Sequence, residues 1–464
     1  MSEVTSDVAR RLSARAAASV AEQRLTGASA GVVLNDRLAW SGGYGFVETA
    51  SDRAPDEDTL YRIASITKTF TATAIMQLRD EGKLDLDDPL VQHIPEFASA
   101  RDPFGPIEHV TIRRLLTHES GLMTDSPGMR PESFFYPSTE EVLAAADHIT
   151  IAIPPDSADK YSNLAFQLLG EVVARIGGRS YPDHVRARVT EPLEMKSTTF
   201  DPGHDLGERV ARGYDARWFT DELRPAAILP PTGIESDGGL YSTVADLARW
   251  IVFQFTAADD DTGHQVLRAS SLREMFRPRT ITRDDWTEAQ GVAWYSTRRD
   301  ETILLGHDGS LNGFDTSIRF NVAARIGAIV LLNGIGDASE LAFGLVEEML
   351  GRSSGHPDAE PRAQREATPE RWRELLGLYV MEDFGQEARV EWRDGRLMIS
   401  TGDDFRRLEP TDNDLTFMVR GGRWSGEQLV FERGEQGRIE VARMAAEPFV
   451  KMIPARDLRE GGRA

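Results

Sequence analysis

The chain contains no cysteine, which excludes a disulfide framework, a Cys-ligated zinc site and a thiol nucleophile. It also lacks any apolar run of the roughly 18 residues a membrane-spanning helix requires. The N-terminal stretch "MSEVTSDVARRLSARAAASVAEQ" has no apolar core of the secretory type. These absences predict a soluble, cytoplasmic chain with no membrane partner, unless a leader precedes it. Positive charge is short as well: 53 Lys and Arg face 75 Asp and Glu, for a formal net charge of −22. Nucleic acid and anionic membrane surfaces would repel such a chain. Lysine is the scarcest base, present only as Lys68, Lys83, Lys160, Lys196 and Lys451.

What is present suggests more than one domain, because 464 residues exceed the usual size of one. Residues 5–24 suit an amphipathic helix with Val8, Leu12, Ala16 and Val20 on one stripe. "AGVVLNDRLAWSGGYG" (30–45) reads as a hairpin turning at Asn35-Asp36. A helix-rich middle follows, broken by "RDPFGP" and "ILPPTG". Then "TILLGHDGS", "TSIRFNVAA" and "RIGAIVLLNG" read as three strands, closed by a helix over 338–350. Strands at both ends of this region predict an α/β (α+β) sandwich on an antiparallel sheet with an inserted all-α lobe, spanning 1–350. The polar, aperiodic 351–369 reads as a linker. Over 370–464, short alternating runs between Asp-Gly and Gln-Gly turns predict an antiparallel β-barrel.

One scarce lysine closes a Ser-x-x-Lys pair in "RIASITKTFTA" (62–72). On a helix, positions i and i+3 share a face, so Lys68 can reach Ser65. Phe70, Ala74 and Leu78 then recur at helical spacing, which places Ser65 at the start of a buried helix. Free N–H groups and the helix dipole favour negative charge there. A neighbouring lysine can activate a serine when burial lowers its pKa. Ser157-x-x-Lys160 has the same spacing, and roughly 0.3 such pairs are expected by chance. It follows "IPPD" and is flanked by Asp156 and Asp159, so no apolar-faced helix starts there and Lys160 reads as solvated.

Two later segments add functional groups. Tyr161-Ser162-Asn163 offers a proton relay and an orienting amide, although alone it reads as a turn that caps a helix. "LLGHDGSLNGF" (304–314) ends a strand in His307-Asp308-Gly309-Ser310, where the glycine permits close backbone approach and the Ser310 N–H can meet an oxyanion. Three other features read as structural: His118-Glu119, with no second histidine at metal-ligand spacing, Thr243-x-x-Asp246 as a capping box, and the Asp run 259–261 as a solvated loop.

Taken in order, Ser-x-x-Lys, Tyr-x-Asn and His-x-Gly resemble the serine β-lactamase and penicillin-binding protein superfamily in its class C-like branch. "LLTHESGL" (115–122), "EPLEMKSTTF" (191–200) and "GGLYSTVADLARW" (238–250) resemble recurring segments of that branch. The resemblance implies acyl transfer without metal or organic cofactor. Ser65 is then the nucleophile, Lys68 and Tyr161 shuttle the proton, and Asn163 holds Lys68 and the substrate amide. The N–H groups of Ser65 and Ser310 form the oxyanion hole. β-Lactamases and D-Ala-D-Ala carboxypeptidases of the superfamily carry Lys-Thr-Gly or Lys-Ser-Gly where this chain has His307-Asp308-Gly309. The His-x-Gly form resembles D-aminopeptidases, D-amino-acid amidases and esterases, and "LLGLYV" (375–380) with its hairpins is similar to their appended lipocalin-like modules. The expected substrates are therefore small amides or short peptides with D-residues. A short-acyl carboxylesterase and a penicillin-recognising binding protein are the alternatives.

Overall fold

The computed structural model describes residues 3–130, 135–203, 207–216, 223–230, 232–261, 266–283, 286–299, 301–351, 369–381, 386–393, 395–401, 405–445 and 447–454. The stripe of Val8, Leu12, Ala16 and Val20 is buried along α1 (Ser6–Glu22), whose first turn is capped by Thr5. The hairpin forms β1 (Gly27–Leu34) and β2 (Arg37–Gly45). It turns through Asn35 at φ +60°, a left-handed conformation that asparagine tolerates.

Three of the longer helices share the main core: α2 (Thr67–Asp80) and α3 (Asn163–Gly177) pack on each other, and α4 (Val244–Phe255) packs on β1 and β2. Residues 67–78 of α2 are all buried, so its threonines have no water to bond. Thr69 and Thr73 instead donate to the Ile66 and Thr69 carbonyls at 2.7 and 2.9 Å. Phe70 stacks on Trp250 at 3.9 Å between ring centroids. Thr243 caps α4 by accepting from Asp246 N–H, but the capping box is only half formed. The Asp246 carboxylate turns to Ser197 N–H (2.8 Å) and Thr198 Oγ1 (3.0 Å).

Short strands β3 (Thr280–Ile281), β4 (Glu288–Gln290) and β5 (Tyr295–Arg299) precede the three strands expected from sequence. Those are β6 (Thr302–Leu311), β7 (Phe314–Asn321) and β8 (Ile326–Leu332), followed by α5 (Ala338–Met349). The sheet runs β2-β1-β8-β7-β6-β5-β4-β3 with every neighbour antiparallel. Every residue of β8 is buried because both faces are covered. Ile329 and Leu331 join the core with α2, α3 and α4, while Ala328, Val330 and Leu332 face α1 and α5.

The C-terminal strands close into a barrel: β9 (Gly377–Met381), β10 (Gln386–Arg393), β11 (Arg396–Ser400), β12 (Phe405–Pro410), β13 (Thr416–Arg420), β14 (Gln428–Arg433), β15 (Ile439–Met444) and β16 (Glu447–Pro454). Tyr379, Phe417, Phe431 and Phe449 fill its interior. Closure leaves no strand edge open. Apart from its end residues, the linker expected over 351–369 lies outside the described residues. Among the described residues no helix is long and apolar enough to cross a membrane.

Candidate active site

Ser65 lies in a 3-10 turn (Ala64–Ile66) that runs directly into α2. Across residues 59–78 it alone is not fully buried. Ala64, just before it, holds φ +44°, a conformation that costs a residue with a Cβ of order 1–3 kcal/mol. Lys68, one helical turn on, is completely buried. Its ammonium donates to Ser65 Oγ at 3.0 Å and to the Asp237 carbonyl at 2.7 Å. It also faces the Tyr161 ring, 5.0 Å from the centroid. The hold on Lys68 expected of Asn163 is therefore supplied by the Asp237 main chain. Asn163 Nδ2 donates instead to Asp125 Oδ1 at 2.8 Å.

Tyr161 precedes α3, whose N-cap is Ser162. His118 is fully buried and its ring packs on Tyr161 at 4.4 Å. His118 Nδ1 accepts from Ser162 N–H at 3.2 Å, which fixes the backbone beside the tyrosine. The structural reading of His118 holds, and what it supports is the Tyr161 turn.

The third segment comes in on β6. β5 pairs with β6 only as far as Gly306, so the outer edge of 307–311 is left to face the Ser65 turn. A methyl on Gly309 would lie 2.2 Å from the Ile63 carbonyl oxygen and 3.1 Å from Ala64 Cβ. The glycine is thus needed for close approach, but to the backbone of the Ser65 turn. β6 and β7 join through Asn312-Gly313 and pair Leu311 with Phe314. Antiparallel alternation then points the Ser310 N–H away from β7, toward that turn.

His307 is 3% exposed. Its Nδ1 lies 2.6 Å from the Asp308 carbonyl, an acceptor, so Nδ1 carries the hydrogen and Nε2 is left as a lone-pair acceptor. Nε2 is buried with no partner among the described residues. Burial, then the Lys68 charge, pushes the His307 pKa down to about 4, so the ring is neutral at pH 7. Asp308 points to the opposite face of the strand from His307. Its side chain is half exposed; withdrawal from water in the cleft raises its pKa, but the Arg319 guanidinium, 2.6 Å away, outweighs that and holds it below the usual carboxylate value. Asp308 is consequently ion-paired with Arg319.

In the unfolded chain His307 titrates near 6.5, so between about 6.5 and 4 only the unfolded state carries the extra proton. Stability is then lost as pH falls through that window. Urea titrations of the parent and of His307→Gln at pH 7 and pH 5 should differ, the parent losing about 2 kcal/mol more. Equal losses would contradict the neutral, buried ring.

Ser65, Tyr161, Asn163, His307, Gly309 and Ser310 line one cavity of about 770 Å³, with Lys68 bonded just behind Ser65. Four contributors were not legible beforehand. Asp237 acts through its carbonyl, which carries no residue-type signal, and Tyr295 packs edge-on against His307 at 5.5 Å. Arg423 and Glu447 enter from the barrel and lie far from the motifs in sequence. Lys160 corrects the sequence reading outright. It is not solvated but fully buried, and it donates to Thr124 Oγ1 (2.7 Å), the Arg423 carbonyl (2.6 Å) and Glu427 Oε1.

The Beta-lactamase family model matches residues 12–344. Protein flp of Staphylococcus aureus strain MW2 is 27% identical over 311 residues, 67% of this chain. The chain spans 60% of that relative's own length. The D-alanyl-D-alanine-carboxypeptidase/endopeptidase AmpH of Escherichia coli K12 is 28% identical over 299 residues, covering 62% of this chain and 74% of that protein. Among solved structures, the octameric penicillin-binding protein homologue from Pyrococcus abyssi matches at TM-score 0.64 and 22% identity, over 95% of this chain and 99% of its own. A D-stereospecific amidohydrolase from Streptomyces sp. matches at TM-score 0.61 and 24% identity, over 74% and 99%. At such identities the structural likeness bears on the fold.

Proposed function

This chain belongs to the beta-lactamase family of serine hydrolases, and from that premise we propose that it hydrolyses small amides or short peptides through an acyl-enzyme on Ser65, with tolerance for D-residues. In the reactive state the Lys68–Tyr161 pair holds one proton fewer than an ammonium and a phenol together, so that when Ser65 Oγ attacks the substrate carbonyl its proton passes to that pair. The developing oxyanion is met by the N–H groups of Ser65 and Ser310. Protonation of the departing amine through Tyr161 breaks the C–N bond. Water, deprotonated by Tyr161 or Lys68, then releases the acid. Asn163, which lines the same cavity as Tyr161, orients the substrate amide.

The observation that carries the substrate reading is the His307 Nε2 lone pair. Where a Lys-Thr-Gly segment offers a cation to a carboxylate, this site offers a neutral acceptor. Such a group favours a substrate N–H over an anion, and acidic side chains outnumber arginines along the cavity lining. The D-residue part of the reading rests on the His-x-Gly resemblance. A panel of D- and L-aminoacyl anilides, short p-nitrophenyl esters and a chromogenic cephalosporin tests it. D-aminoacyl anilides should give the highest kcat/KM, with the cephalosporin far below. Turnover of esters alone would make the protein a short-acyl carboxylesterase. A stable adduct without turnover would make it a penicillin-recognising binding protein, and turnover of the cephalosporin alone would overturn the amide reading.

A further inference from the structure

We propose that the buried Lys160–Glu427 pair is a strut through which the barrel seats Tyr161, so that the barrel loop 421–427 is part of the proton-transfer apparatus. The inference rests on the relay role assigned to Tyr161 above. Burying an ammonium is costly unless every donor is satisfied. Lys160 meets that condition with three acceptors, two of them supplied by the loop between β13 and β14. An apolar side chain would fill the same space at less cost, which marks the placement as specific.

The connection to the active site is short. Lys160 is the residue before Tyr161, and its own N–H donates to the His118 carbonyl at 2.8 Å. On the other side of the tyrosine, Asn163 N–H donates to the Thr124 carbonyl at 2.7 Å. Thr124 is in turn gripped by the barrel. Its N–H donates to Glu427 Oε1 at 3.0 Å, and its Oγ1 lies 2.5 Å from the same oxygen and 3.0 Å from the Arg423 carbonyl. Both flanks of Tyr161 therefore end on the same two barrel residues. The loop comes close enough that a methyl on Gly426 would lie 2.1 Å from the Ala152 carbonyl oxygen. Arg423 adds a guanidinium 5.6 Å from the Tyr161 ring centroid and bonds Glu447 at 3.1 Å. Neither Lys160 nor Glu427 lines the cavity, so both are positioning residues.

The experiment uses the full chain. Lys160→Met/Glu427→Gln removes both charges together, which spares the fold an unpaired buried ion. With a small activated ester or anilide, this double variant should lower kcat about 10- to 100-fold, the cost of misplacing a reacting group by of order an ångström, and leave KM within about 3-fold. The pH limb of kcat should move as well. In a Tyr161→Phe background the same double change should cost less than about 2-fold, because the group it positions is gone. Thr124→Val, which leaves no carboxylate unpaired, provides a milder version should the double variant fold poorly. Equal losses in both backgrounds, or parental kcat and pH profile in a folded double variant, would overturn the strut. Parental activity in Tyr161→Phe itself would instead overturn the relay reading, and the strut with it.

Discussion

Ser65→Ala should abolish covalent labelling by a serine-directed phosphonate and lower kcat by on the order of 10⁴-fold or more, while Ser157→Ala retains both. The expectation follows from where the two serines sit. Ser65 is the one residue of 59–78 that is not buried, behind a strained Ala64, with the Lys68 ammonium 3.0 Å away. Ser157 is exposed and donates to the Pro154 carbonyl at 2.6 Å. The lysine three residues after it points into the barrel contact and has three acceptors of its own. Thermal melting of Ser65→Ala should fall by a few degrees at most, because the buried Lys68 ammonium loses the Ser65 Oγ acceptor and keeps the Asp237 carbonyl. Labelling that survives in Ser65→Ala and disappears in Ser157→Ala would sink the assignment. Mass mapping of the phosphonylated peptide distinguishes the two directly.

The contrast between the two Ser-x-x-Lys pairs also explains what a sequence can reveal here. Ser65 and Lys68 belong to one turn, so the spacing of the letters already encodes the geometry. The α1 stripe, the first hairpin and the alternating barrel runs were legible for the same reason, as each is a local pattern. Lys160 was misread because its environment is not local. Two flanking aspartates suggest a solvated loop, whereas its anionic partner is Glu427, 267 residues later. Asn163 failed differently: the residue type was right for holding Lys68, but that bond is made by the carbonyl of Asp237. A main-chain acceptor is available at any residue, so no motif announces it. Arg423 and Glu447 complete the cleft from a different sheet, and only the packed chain brings them there.

Gly309→Ala should cost about 10²- to 10³-fold in kcat, as expected for displacing one oxyanion donor, and should slow phosphonate labelling in parallel. The added methyl would lie 2.2 Å from the Ile63 carbonyl oxygen and 2.6 Å from Thr316 Oγ1. The first of these is backbone and cannot rotate away, since Ile63 N–H is itself bonded to the Leu240 carbonyl at 3.0 Å. β6 would have to retreat from the Ser65 turn, taking the Ser310 N–H with it. On the proposed mechanism, attack on a carbonyl and attack on a phosphonate would both build an anion between the Ser65 and Ser310 N–H groups, so the two rates should fall together. Gly207→Ala, whose methyl meets nothing within 4 Å, should keep both rates at the parental level. Were Gly309→Ala to fold and react like the parent, β6 could not be pressed against the Ser65 turn, and the oxyanion role proposed for Ser310 would fall. A loss of kcat with unchanged labelling would instead place the damage after acylation, at the water step, and would clear the oxyanion donors.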